Sequence, residues 1–297
     1  MLTLTENKLI QIFIDCDDFI KKLERELPHR LVGIPSRKPD SALWASEILS
    51  VCICYHMARN DCFKSYYMET VLKRLKPYFP DLPSYTRFIA LKEHYLFEIS
   101  LFMVSRLCRA SPEANFIDSK KLPSCHLKRE KGHKVMSGLA AKGKSSTGWF
   151  FGMKLHLIIN EHAKICRFMI TPGSTADNNA DVLKTIFKGM EGTFFGDKGY
   201  LTKLKDELSA QGTELVTKVR KNMKKKSMTA KQKHYMKRRG IIETVFGLLA
   251  FQADIDHTRH RSQSGMLINL IAGLVAYTYF DAFPRLELFR YLPDIVL

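Results

Sequence analysis

The sequence predicts a two-part α/β protein: a helical N-terminal domain over residues 1–110, then a mixed sheet flanked by helices over residues 111–297. Three observations carry this expectation. Apolar residues recur at helical spacing through the first third of the chain. At Ala114 the texture changes to short apolar runs, each bounded by polar or turn residues. Those runs alternate with amphipathic segments in the order β, β-β, α, β, α, β, followed by helices, which is the pattern of a layered sheet.

In the first part, Leu9, Ile10, Phe13 and Ile14, then Phe19, Ile20 and Leu23, define a helix. Pro28 to Pro39 is a Pro/Gly/basic separator. A second helix is expected over Ala42–Met57, capped by Asp40 or Ser41. Pro77, Pro80 and Pro83 punctuate a turn, and Tyr85-Thr86-Arg87-Phe88 opens a helix running to about Leu107. Several short helices fit a helix-turn-helix-like DNA reader, and equally a structural or dimerising bundle.

In the second part, Phe116-Ile117 leads a strand expected to end near Asp118, followed by a basic loop from Lys120 to Lys144. Trp149–Ile159 and Ile165–Thr171 read as strands joined at Asn160-Glu161-His162, a hairpin signal, with Trp149 expected in the core. A helix over Asn178–Met190 precedes a short strand into Asp197; a helix over Lys203–Ala210 precedes a strand over Thr213–Val219. Lys218–Arg239 holds 11 Lys and Arg and no acid, interleaved with Met223, Met228, Tyr235 and Met236. Such a run predicts a mobile loop that orders when phosphates neutralise it. Met266–Phe280, interrupted by Asn269, is too short to span a bilayer and reads as a buried helix.

Composition bounds the function. Apolar residues at 45% and charged residues at 26% are those of a globular chain. The net charge of +17 is uneven: residues 1–110 carry 16 basic and 13 acidic side chains, the remainder 31 and 17. The second part therefore faces a polyanion, DNA or RNA, or else an anionic membrane surface. Cys16, Cys52, Cys54, Cys62, Cys108, Cys125 and Cys166 form no paired CxxC clusters and read as reduced thiols of a cytoplasmic protein. Cys125-His126 lacks a partner at zinc-finger spacing. No basic region followed by an apolar run marks a secretory signal at the N-terminus.

Within this basic region, carboxylates stand where metal ligands are useful. Asp118 ends an apolar run; Asp197 follows Phe194-Phe195-Gly196 and precedes Lys198-Gly199-Tyr200, where Gly199 permits a tight exit. Glu243 borders the apolar helix face of Ile242, Val245, Phe246 and Leu249, with Arg239 one turn earlier. Asp118, Asp197 and Glu243 are thus candidate ligands for Mg²⁺ (or Mn²⁺). Two such ions about 4 Å apart can drive in-line displacement at a phosphodiester. Asp177 and Asp181 compete as ligands, Asp177 reading first as the cap of the following helix.

Phe116-Ile117-Asp118-Ser119 with Cys125-His126, Phe151-Gly152-Met153-Lys154-Leu155-His156, Gly196-Asp197-Lys198-Gly199-Tyr200, Arg239 through Phe246 and His257-Thr258-Arg259-His260-Arg261-Ser262 together resemble bacterial DDE insertion-sequence transposases. The similarity is to the insertion-sequence family numbered 982 above all, and covers residues 114–280 well and 1–110 loosely. It implies a ribonuclease-H-like core with Asp118 on its first strand, Asp197 after its fourth and Glu243 on a following helix. It implies two-ion, Mg²⁺-dependent cleavage and joining of double-stranded DNA at terminal inverted repeats and target, by a homodimer on DNA, in the bacterial cytoplasm at the nucleoid. One departure stands out: Met236 and Ala250 occupy places where related transposases often carry Tyr and Lys.

On this reading Lys154, Lys198, Arg220, Lys221, Lys224, Lys225, Lys226, Arg238, Arg239, Arg259 and Arg261 contact DNA. The rival readings are a ribonuclease-H-like nuclease without strand transfer and a non-catalytic DNA-binding protein derived from a transposase.

Overall fold

A computed structural model describes residues 4–27, 43–58, 60–218, 227–256 and 260–286. The chain forms two compact units, one drawn from residues up to Arg106 and again from Leu248 to Asp281, the other from Leu107 to Gly247. The first division falls at 106/107, and residues 248–281 group with the N-terminal helices.

In the helical unit, α1 (Glu6–Glu26) starts at Thr5, whose hydroxyl accepts the Lys8 N–H, and buries Leu9, Ile12, Cys16 and Ile20 along one stripe. For α2 (Ala45–Tyr55) the expected caps Asp40 and Ser41 lie outside the described residues. Trp44 precedes the first turn and its N–H donates to the Glu47 carboxylate at 2.7 Å. Every residue of α2 from Ser46 to Tyr55 except the half-buried Glu47 is buried, because α1 and helix Gln263–Tyr277 both pack on it. A short turn, α3 (Phe63–Ser65), continues as a π-helix over Tyr66–Leu75. The single helix expected to Leu107 is two, α4 (Tyr85–Lys92) and α5 (Leu96–Ser105), separated by a 3₁₀ turn over Glu93–Tyr95.

In the second unit a six-stranded sheet runs in the order β2-β3-β1-β5-β6, with β4 also on β3. Strand β1 (Asn115–Cys125) does not stop at Asp118 as expected, because it pairs antiparallel with β3 (Gly148–Asn160) along almost its whole length. The outer edge of β3 is shared: β2 (Ala141–Ser145) takes its first residues and β4 (Ile165–Pro172) the rest. Where β2 and β4 meet, a Cβ on Gly143 would stand 2.0 Å from the Gly173 carbonyl oxygen, so the junction closes only around glycine. β5 (Gly192–Gly196) and β6 (Thr213–Thr217) continue the sheet on the other side of β1, parallel to it.

Successive side chains of β1 point to opposite faces of the sheet. Ile117 and its partner Ile158 join Phe194, Leu183, Ile186, Phe187 and Leu208 in a core cluster under α6 (Ala180–Phe187) and α7 (Lys205–Ala210). On the opposite face the Phe116 and Phe195 rings meet at a tilt, and Phe195 lies 5.6 Å from the Tyr235 ring of α8 (Ala230–Arg238). The basic run expected to be one mobile loop is therefore helical over α8. Thr229 caps that helix in a reciprocal box with Gln232, and Tyr235 and Met236 anchor it. Next comes α9 (Ile241–Phe251), with Ile242, Val245, Phe246 and Leu249 buried as its periodicity predicts. Helix Gln263–Tyr277, α10 in chain order, is buried from Met266 almost throughout. Among the described residues no helix is long and apolar enough to cross a membrane.

Candidate active site

The parallel pairing of β1 with β5 is brief: Asn115 faces Phe194, Phe116 faces Phe195, and the ladder ends. Asp118 and Asp197 each lie two residues beyond that last matched pair, so both carboxylates stand just past the end of the parallel ladder, Asp118 still within β1 and Asp197 directly after β5. The carboxyl ends of parallel strands are where open α/β sheets hold ligands.

Asp118 is largely buried. Its Oδ1 accepts the Ser119 N–H at 2.8 Å and its Oδ2 accepts Arg239 Nη1 at 2.8 Å. Burial dominates its titration and, with a push from the Asp197 charge, raises the carboxyl to about 6, against the pull of Arg239 and the Ser119 amide. Asp197 caps the turn Lys198–Tyr200 by accepting the Gly199 N–H. A Cβ at Gly199 would stand 2.7 Å from Asp197 Oδ1 and 3.7 Å from Asp177 Oδ2, so glycine there leaves room for two carboxylates to approach. Lys198 is exposed beside them.

Glu243 joins through Arg239. The guanidinium donates Nη1 to Asp118 and Nη2 to Glu243 Oε1 at 3.1 Å, so one arginine spans the sheet-end carboxylate and the helix carboxylate. The i,i+4 pair expected on α9 is real, and its arginine does more than serve a surface pair. Glu243 itself remains 64% exposed.

The other face of β1 carries a second network. Ser119 pairs with His156, and Lys121 with Lys154, placing these side chains opposite Asp118. Asp177 Oδ1 accepts the Ser119 hydroxyl at 2.8 Å and Lys154 Nζ at 3.0 Å, while Lys154 also donates to the Thr175 carbonyl at 2.9 Å. Lys154 is buried, and its ammonium is directed at this loop. Asp177 is not the cap of α6. Asn179 fills that place, its side chain accepting the N–H groups of Asp181 and Val182, because the helix starts two residues later than expected. Asp181 is exposed in the first turn.

His156 is buried; burial lowers its imidazole to about 4, against the pull of Asp177, so it is neutral at pH 7. Its Nε2 pairs with Thr171 Oγ1 at 2.9 Å. Tyr200 is buried, and its phenol is pushed far up by burial first, then by Asp118, Asp177 and Asp197 in turn. Three aspartates thus each disfavour its ionised form. In the sequence, Tyr200 and Ser119 stand out only as parts of motifs; the signal for Asp177 is its polar loop directly after a strand.

Of the basic residues, Arg238 lies on α8 with Nη1 3.2 Å from His234 Nδ1, beside a groove of about 420 Å³ lined by Lys231, Lys233 and Lys237. Arg220, Lys221, Lys224, Lys225, Lys226 and Arg259 lie outside the described residues, and Arg261 is exposed in the helical unit. Trp149, expected in the core, is 55% exposed on the first turn of β3, within 5.7 Å of the Lys142 and Lys144 ammonium groups. Asp197 follows the fifth strand rather than the fourth, because β2 is an added edge element.

The carboxylate oxygens of Asp118, Asp177, Asp197 and Glu243 are the hard donors that Mg²⁺ or Mn²⁺ prefers. As placed, no group of three His, Cys, Asp or Glu among the described residues is close enough to hold one ion together. Arg239 spreads its positive charge over two of these carboxylates instead.

A family model described as a transposase DDE domain matches residues 110–263, just over half of the chain. No curated protein and no solved structure matches it.

Proposed function

We propose that this chain, which belongs to the transposase DDE domain family, cuts and joins DNA strands by in-line phosphoryl transfer, with Asp118, Asp197 and Glu243 as its catalytic carboxylates. The observation that carries this reading is the matched position of Asp118 and Asp197 just past the end of the parallel ladder, with Asp118 tied to Glu243 by Arg239. A first strand bearing one carboxylate, with a parallel neighbour bearing the next, supports a ribonuclease-H-like core.

Two divalent cations, when bound by these carboxylates, supply an activated oxygen nucleophile and stabilise the departing 3′ oxygen. The chain's own residues prepare the place. The Ser119 amide fixes one oxygen of Asp118, and the Gly199 amide orients Asp197. Arg239, once released from Asp118, offers a phosphate the forked guanidinium that is its best-matched donor. Lys198 and the exposed Lys233 and Lys237 of α8 extend positive charge along the DNA backbone. DNA termini with inverted repeats are the expected substrate, held as a pair by two copies of the chain.

The test is direct. Purified chain is given labelled duplex ends with Mg²⁺ or Mn²⁺, then pre-cut 3′-hydroxyl ends with target DNA. Cleavage and joined product support a transposase; cleavage without joining supports the nuclease reading. An Asp118→Ala chain that cuts as well as the parent sinks the carboxylate assignment.

A further inference from the structure

The helical unit contains a cavity of about 460 Å³, within the range of small-molecule sites (roughly 300–1,000 Å³). Lys92 lines it and is 8% exposed, its ammonium 4.1 Å above the centroid of the Phe63 ring. Among the described residues no carboxylate forms an ion pair with it. A buried ammonium left to an aromatic face is short of negative charge. Burial accordingly lowers its pKa, opposed by Cys52 and Glu93.

The remaining lining repeats the imbalance. Asn269 of α10 is 9% exposed, and its side-chain N–H₂ finds no acceptor among the described residues. Arg261 and Lys64 add two cations at the exposed edge. The first turn of α10 contributes Ser262 and Gly265, and with them the positive end of a 15-residue helix. Glu93, the acidic member of the described lining, already accepts the Ser262 hydroxyl. Tyr85 provides an aromatic wall suited to a base.

We propose that this cavity is a binding site for a phosphate ester carrying a nucleobase, with Lys92, Asn269 and Arg261 as the donors to its phosphate. Such a group comes either from a free nucleotide or from a DNA strand, and nothing in this site depends on strand cleavage.

The experiment uses the full chain in chelator, so that no strand is cut and failure of the transposase reading leaves the result intact. Inorganic phosphate, thymidine 5′-monophosphate and a short duplex are titrated separately and in competition. Acylation of Lys92 by an amine-directed reagent is mapped by peptide mass in parallel. The expected result is one saturable site for phosphate and mononucleotide, which protect Lys92. Lys92→Met and Arg261→Gln should each weaken binding by about tenfold. Displacement of the mononucleotide by duplex supports the site with a DNA strand as its source; persistence of the mononucleotide supports it with a free nucleotide. Unprotected Lys92 at millimolar phosphate and mononucleotide overturns the proposal, as does unchanged affinity in Arg261→Gln. Both readouts stand even where Lys92→Met fails to fold.

Discussion

The two faces of β1 at residues 118 and 119 handle the same problem, carboxylates beside the end of the parallel ladder, in opposite ways. On one face Arg239 bridges Asp118 and Glu243, and the far end of that bridge is open, with Glu243 64% exposed. On the other, Lys154 and Asp177 are 10% and 28% exposed, cross-braced by Ser119 and the Thr175 carbonyl. The first arrangement is held at its inner end by the Arg239–Asp118 pair, 19% and 21% exposed, and gives way most easily at its outer end, where Glu243 can exchange the guanidinium for a metal. The second holds a loop in place, since separating a desolvated pair strands a charge. The proposed phosphoryl transfer would use both, one side that yields to substrate and one that does not.

The largest expected effect tests the yielding side. Asp118→Asn should lower cleavage by about 10³-fold or more, of the order of 4 kcal/mol in transition-state stabilisation. Measured by single-turnover assay in Mg²⁺, retention of activity would remove Asp118 from the chemistry.

Next comes the rigid side. Lys154→Met should destabilise by about 2–3 kcal/mol in chemical denaturation, because Asp177 loses its partner in a mostly buried setting. The double change with Asp177→Asn should recover part of that loss, so additive effects would deny the clamp.

A smaller effect concerns pH. The Asp118 carboxyl is raised to about 6 in the folded chain from 3.8, so between these values the folded state keeps a proton that the unfolded state releases. In chelator, stability should therefore fall as pH rises from about 4 to 6, by of the order of 2 kcal/mol. Asp118→Asn should flatten this dependence, and a slope that survives the substitution would place its origin elsewhere.

The smallest effect on stability is at Glu243. Glu243→Gln should change stability by only a few tenths of a kcal/mol, as for an exposed i,i+4 pair. Activity should nevertheless collapse, and a variant that is destabilised instead would show the open face to be structural.

Much of this contrast is legible in one dimension and part is not. Asp118 and Asp197 stand out because each follows an apolar run, and Glu243 because its neighbours bury at helical spacing. Asp177 misleads because Asp177 and Asn179 are both competent caps, and only the reach of Lys154 decides between them. β2, with the sequence Ala-Lys-Gly-Lys-Ser, has no β-branched or aromatic residue and is a strand solely because β3 offers it an edge. Trp149 reads as core, yet it sits at the start of β3 opposite Lys144 and stays exposed. The helix in the basic run is signalled by Thr229 and Gln232 at capping-box spacing, a local cue that the density of charge obscures.

By itself the sequence determined the mixed α/β class of fold, the excess of basic residues and the two aspartates that follow apolar runs, since periodicity, charge and turn residues act over a few neighbours. The tertiary structure alone decided that Arg239 binds two of those carboxylates, that Lys154 faces a loop, and that Leu248–Asp281 joins the N-terminal helices. Those outcomes depend on strand register and on contacts between residues more than a hundred positions apart, such as Asp118 and Arg239, for which no local pattern exists.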